Sequence, residues 1–266
     1  MAETLISPGV LARENDNTFI TQQPIQAGAA IVGPAVKGPV EIPTIVTSYS
    51  DYQNRFGTTF ESGSSEYTYL TSIAAYNYFQ NGGNTLLVTR VVSASQDWTS
   101  ATSSIVATTA SETSFKLESL GQGELFNNSG ALLSNGALSN GTSDNIRWQV
   151  STNNTASGTF SLIIRRGNDN TNNVVALETY PELSLDPNSE NYISRVIGDQ
   201  TLNYNPSENY IEVSGSYRNA SRYVRVTDVK NTLNYFDNAG RAKDIYTGSI
   251  PAVGSGSFGG GVGSNI

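Results

Sequence analysis

Residues 69–92 read YLTSIAAYNYFQNGGNTLLVTRVV. Leu70, Ile73, Tyr76 and Phe79 recur every three residues, with Ala74 beside them, which predicts a helix with one apolar face. Gly82-Gly83 ends that pattern. Residues 85–92 are rich in β-branched side chains and unbroken, the pattern of a strand buried on both faces. Upstream, residues 27–35 (AGAAIVGPA) form a small-residue apolar strand ended by Gly33-Pro34, and Lys37-Gly38-Pro39 makes the next turn. Residues 42–47 (IPTIVT) are a second strand, with Pro43 near its start, where a missing N–H is tolerated. Ser48 or Ser50 caps a short helix running from Tyr52 to Phe56, and Gly57 fits its C-terminal cap. Ser64 or Ser65 is expected to cap the longer helix, which ends near Gln80. Strand, helix, helix and strand make an α/β unit over residues 24–95.

Working outward, residues 1–23 have no helical period. Pro8-Gly9 interrupts a short apolar piece whose members are Leu5, Ile6, Val10 and Leu11. This reads as an extended N-terminal arm, because a frayed end has no need of those apolar side chains. On the other side, residues 96–245 carry the alternating and β-branched runs of a β-rich domain. Residues 115–118 are a weak strand and residues 146–150 alternate. Residues 160–165 and 174–180 flank a Gly/Asn-rich loop at 167–173 and read as a long hairpin. Asp186-Pro187 suits a helix start, with the helix running through Asn191 to Ile197 and Gly198 closing it. Residues 211–213 and 223–226 are further strands. Residues 246–266 are Gly/Ser-rich and read as a linker. The fold class expected is α+β: a small α/β core piece followed by a β-rich inserted domain, with an extended arm in front.

Composition removes much chemistry. The chain has 266 residues, no cysteine and no histidine. Disulfides, thiolate metal sites, imidazole ligands and His-based triads are all excluded within it. With 15 basic against 23 acidic residues the formal charge is -8. Such a field repels polyanions, so nucleic acid is not an expected partner. No apolar run reaches the roughly 18–20 residues needed to cross a bilayer, and the N-terminus lacks the pattern of a signal peptide.

The motifs that remain are weak ones. Gly254-Ser255-Gly256-Ser257-Phe258-Gly259 matches a dinucleotide fingerprint as text, but no helix pattern follows it. Asp169, Thr171 and Asn173 resemble a calcium loop, yet Tyr180 stands where the twelfth-position Glu is needed. Glu178 and Glu182 could be a hydrolase pair, although clustering is expected among 23 acidic residues. Trp148, inside an alternating strand, reads as core or interface, with a sugar platform as the other reading. No cofactor and no metal is expected.

An ordered set of segments then resembles one family. ISPGV in the arm, residues 29–35 with Lys37-Gly38-Pro39, YQNRFG at 52–57, YLTSIAAYNYFQNGGN at 69–84 and the Val-rich strand with Arg90 follow one another. This order resembles the N-terminal region of contractile phage tail sheath proteins. Residues 183–187 with Tyr192-Ile193, and residues 221–224, resemble the middle, inserted domain of some members.

The resemblance implies structural work and no enzymatic activity. Copies of the chain would form six-fold rings stacked around an inner tail tube protein, with baseplate and neck proteins at the ends. Contraction would drive the tube through the host envelope. The location implied is the virion tail, assembled in the host bacterial cytoplasm, with no membrane insertion. Arms would add strands to sheets of neighbouring subunits, here through Leu5, Ile6, Ser7, Val10 and Leu11. Such pairing needs only backbone hydrogen bonds and a few side-chain pockets. Sheath proteins are usually longer, and their C-terminal part completes the core. The chain therefore reads as a partial one or a shortened relative. The alternative function is a β-rich adhesin or glycan-binding virion module.

Overall fold

The computed structural model describes residues 28–62, 64–95, 97–109 and 112–264. The arm at 1–23, with Leu5, Ile6, Ser7, Val10 and Leu11, lies outside the described residues. The fold is α+β. Its first part contains β1 (Ala29–Gly33), β2 (Thr44–Val46), α1 (Tyr49–Phe56), the hairpin strands β3 (Thr59–Ser62) and β4 (Ser65–Thr68), α2 (Leu70–Gln80) and β5 (Leu86–Arg90). β5 lies in the middle of a three-stranded sheet, parallel to β1 and antiparallel to β2.

α1 forms as expected. The Ser48 side chain accepts from the Asp51 N–H at 3.1 Å, and Gly57 takes φ 72° at the other end. α2 departs from expectation at its start. Ser65 belongs to the β3–β4 hairpin, Ser64 to its turn, and the helix begins at Leu70 after Tyr69, with no side-chain cap. Its apolar stripe faces outward. The buried side chains are Thr71, Ser72 and Ala75, while Leu70, Ile73 and Tyr76 face outward. The small residues let α2 lie close to β1, where a Cβ on Gly33 would sit 2.6 Å from the Thr71 hydroxyl. A helix with larger side chains on that face could not approach so closely.

The β-rich part contains β6 (Ser100–Val106), β7 (Thr113–Gln122), β8 (Ile146–Asn154), β9 (Thr159–Arg166), β10 (Ala176–Ser184), α3 (Ile193–Ile197), β11 (Thr201–Asn205), β12 (Tyr210–Ser214), β13 (Val224–Thr227), α4 (Asp244–Thr247) and β14 (Gly254–Gly256). The expected hairpin is β9–β10, and β8 extends it to a meander. Residues 186–191 form a turn and not the expected helical start. The Asp186 carboxylate accepts from the N–H groups of Asn188 and Tyr235, so α3 is short. β13, β7 and β6 form a second sheet. Phe115, Leu117, Val150, Leu162, Ile164, Leu183 and Val226 fill one core shared by both sheets.

The linker expected at 246–266 is overturned for residues 246–264. This segment runs as a strap between β6 and β8. The Thr108 N–H donates to the Ile250 carbonyl at 2.7 Å, and Ala252 N–H to Val106 at 3.0 Å. β14 pairs antiparallel with residues 148–150, Gly259 bonds Thr102 in both directions, and Thr99 N–H donates to Val262. Ile250 and Phe258 are buried in the core. The glycines allow close approach: a Cβ on Gly256 would lie 2.4 Å from the Trp148 ring. Flexible composition here serves contact, because the strap's backbone can reach partners on β6 and β8 where no side chain intervenes.

Urea denaturation should separate two neighbouring glycines. Gly254 faces open space, so Gly254→Ala should change stability by less than about 0.5 kcal/mol. Gly256→Ala should cost about 1–3 kcal/mol by forcing the strap off Trp148. Phe258→Ala should cost about 3–5 kcal/mol. Equal midpoints for the two glycine variants would show that the strap is not seated on β8.

Candidate assembly interface

The alternation in the first sheet decides which surface is open. Val46, Leu86 and Val88 point toward Tyr52, Phe56 and Ala75 and make a small core. Ala30, Val32, Ile45 and Leu87 point the other way. Leu87 pairs with both Ala30 and Ile45, so the three stand in one row across the strands. Val32 is 69% exposed and Ile45 59%. The expectation of a strand buried on both faces therefore fails for β5, which buries one face only. Neither β1 nor β2 has a further strand partner among the described residues. Such an apolar face, beside edges without a strand partner among the described residues, is a candidate interaction surface.

The sheet is held to the β-rich part through Arg90, the last residue of β5. Its side chain is buried, and Nη1 donates to the carbonyls of Gly38 at 2.7 Å and Gln122 at 2.9 Å. The guanidinium lies 4.9 Å from the Trp98 ring centroid. Burial pulls its pKa down to about 10, partly opposed by Tyr69. The Val40 N–H donates to the Gln122 side chain, and Asp51 bonds both Arg55 and Arg222. Lys37 meets the Asp144 carboxylate at 3.1 Å. Burial lowers the Lys37 pKa, and Asp144 offsets part of that.

The residues weighed for chemistry take structural places. The Trp148 ring is buried, and its Nε1–H donates to the Ser103 hydroxyl at 2.7 Å, so it offers no platform to a sugar. Glu178 accepts from the Tyr180 and Ser221 hydroxyls and from the Arg222 N–H, tying β10 to the segment before β13. Glu182 sits at a bulge with φ 52°. Asp169 is no mere loop residue. Its carboxylate is fully buried and accepts from Arg165 at 2.7 and 2.9 Å, from Arg147 at 3.4 Å and from the Val175 N–H. Arg147 and Arg165 are direct cross-strand partners. Two like charges in that position need an anion between them, and this was the signal the sequence offered.

One open groove of about 370 Å³ is lined by Tyr192, Asp199, Thr201, Arg225, Asp228 and Asn231. Several of its polar groups are already bonded: Tyr192 to Asn231, Arg225 to Thr201 and to the Glu118 carboxylate, Asp199 to the Ser216 and Tyr217 N–H groups. No cluster of three potential metal-ligating side chains occurs among the described residues.

The described geometry is that of an α+β protein with an open apolar sheet. No protein-family model matches the chain, and no curated protein matches it in sequence. Among solved structures it is similar to a sheath tail protein from Listeria innocua, at 11% identity and a TM-score of 0.39, covering 88% of this chain and 34% of that one. It is also similar to a sheath tail protein from Desulfitobacterium hafniense, at 11% identity and a TM-score of 0.29, covering 83% of this chain and 39% of the other. The chain thus spans between a third and two-fifths of the length of these proteins.

Burial raises the hydroxyl pKa of Tyr52, Tyr69, Tyr180, Tyr223 and Tyr235. An unfolded tyrosine ionises near pH 10. A raised folded pKa means the stabilisation is fully present below about pH 10 and is lost as pH rises further. Arg90, Lys37 and Arg147, whose pKa values burial lowers, act in the opposite sense but are outnumbered. Alkaline titration should therefore show cooperative unfolding above about pH 10, with tyrosinate absorbance rising in the same transition. Tyrosinate appearing well before loss of structure would contradict the burial described.

Proposed function

We propose that this chain is a structural subunit, or the N-terminal portion of one, of a contractile tail sheath. Copies polymerise as stacked rings around an inner tube, with the arm of one subunit completing a neighbour's sheet. The reading involves no catalysis. The observation that carries it is the open face of Ala30, Val32, Ile45 and Leu87, beside two edges with no strand partner among the described residues. A self-sufficient monomer covers such a face. In a sheath, further sheath polypeptide packs there. Support from sequence is the ordered run of segments from the ISPGV arm to Arg90. The glycan-binding alternative loses its motivating residue, since Trp148 is interior.

Electron microscopy of the assembled particle is expected to place this chain in stacked rings around a tube. A lone appendage at the particle's tip would replace this reading with the adhesin one. Deleting residues 1–11 should abolish assembly and leave thermal unfolding of the isolated subunit unchanged. Val32→Glu should likewise block assembly while changing subunit stability by no more than about 0.5 kcal/mol, as an exposed position allows. Tubes that form normally with both changes would refute the proposal.

A further inference from the structure

The groove beside β13 holds polar groups that the fold leaves unbonded. It opens between α3, the root of the β11–β12 hairpin, β13 and residues 228–231. One face of the hairpin carries Leu202, Tyr204, Ile211 and Val213. Thr201 and Ser214 pair at the foot of the other face and line the groove. Its volume of about 370 Å³ lies within the range of about 300–1,000 Å³ typical of small-ligand sites.

Ser194 distinguishes this groove from an ordinary surface hollow. The residue is 4% exposed and lines the groove. Its hydroxyl has no hydrogen-bond partner among the described residues, and it is not sealed from solvent as the Thr232 hydroxyl is. Buried polar groups are ordinarily bonded, so a hydroxyl open only to the groove is available to whatever fills it. Asn231 adds a second free group. Its Oδ1 accepts from the Tyr192 hydroxyl at 2.9 Å, which leaves both N–H donors of the amide unpaired among the described residues. The Ser214 and Thr227 hydroxyls are likewise without partners there.

Charge narrows the ligand. Asp228 meets Lys116 at 2.8 Å, and Arg225 meets Glu118 at 2.6 Å and the Thr201 hydroxyl. Asp199 accepts from two backbone N–H groups. The ionic groups are thus engaged within the chain, and those left open are neutral hydroxyls and an amide. Tyr192, Val226 and Val229 supply an apolar part of the lining. Neutral donors and acceptors around a small apolar patch match a molecule with hydroxyls on its rim and C–H groups on its face. We infer that the groove binds one or two rings of a neutral saccharide, with the Ser194 hydroxyl and the Asn231 amide bonding to its hydroxyls. The inference is independent of the assembly reading, because it uses none of the surfaces on which that reading rests.

The test titrates the full chain with glucose, maltose, N-acetylglucosamine and chitobiose, read by saturation-transfer NMR. Glucuronate and glucosamine serve as charged counterparts. Saturable binding of a neutral sugar is expected. Ser194→Ala should weaken it by about three- to tenfold, the worth of one hydrogen bond. The melting temperature should stay unchanged, since that hydroxyl bonds nothing in the folded chain. Ser214→Tyr, at an exposed lining position, should abolish binding by filling the groove, and Ser207→Ala at the far end of the hairpin should leave it intact. Tighter binding of the disaccharides would support a glycan chain as the source, and equal binding a free sugar; both retain the site. No saturable binding of the four neutral sugars would overturn the proposal. So would binding unaffected by Ser194→Ala and Ser214→Tyr, or a preference for glucuronate or glucosamine.

Discussion

The buried guanidinium of Arg90 organises the molecule. A cation taken out of water is tolerable only where fixed dipoles replace its hydration. Here the carbonyls of Gly38 and Gln122 converge on one nitrogen, and the Trp98 ring faces the guanidinium plane. Gly38 belongs to the turn after β1, and Gln122 ends β7. The demand of one side chain thus fixes the small sheet against the large one. Neither carbonyl can move away without leaving a buried charge short of partners, which costs several times more than an ordinary hydrogen bond. The surrounding contacts, Lys37 with Asp144 and Asp51 with Arg222, lie along the same seam, with Lys37 and Asp51 buried and their partners more exposed.

Much of the fold was legible because local rules and tertiary context agree. Ser48 and Gly57 bracket α1 through cap chemistry alone, and the β9–β10 hairpin announces itself by its Asn-rich loop. One misreading, at β5, and one feature left open, at α2, have a common cause. Periodicity locates an apolar stripe but does not say whether the stripe faces this chain or another. For α2, the stripe of Leu70, Ile73 and Tyr76 faces outward, while Thr71, Ser72 and Ala75 pack inside. For β5, Leu87 interrupts burial although its neighbours are equally apolar. Composition misled in the opposite sense at the strap, where Gly and Ser suggested freedom and the backbone found partners on both sides.

The open surfaces share a chemical character. Ala30, Val32, Ile45 and Leu87 on the small sheet, the ridge of α2 and one face of β11–β12 are all apolar and uncharged. The buried charges, by contrast, are enclosed and compensated, as with Asp169 between Arg147 and Arg165. A surface that keeps several aliphatic side chains in the open, beside a few buried and compensated charges, is suited to meeting other apolar surfaces. Low charge density, with 14% of residues ionisable as Asp, Glu, Lys or Arg, favours the same outcome by limiting the repulsion that approach must overcome.

The pairing of Thr99 with Val262, beside the contact of Gly263 with Trp98, has a topological consequence. The polypeptide leaves the small sheet after Arg90 and comes back to nearly the same point more than 160 residues later. Seen from that sheet, the whole β-rich body is a detour with its two feet together. A short turn could bridge those feet. The outer body could therefore be enlarged, shrunk or swapped without moving the small sheet, in the way that interchangeable shades fit one lamp base.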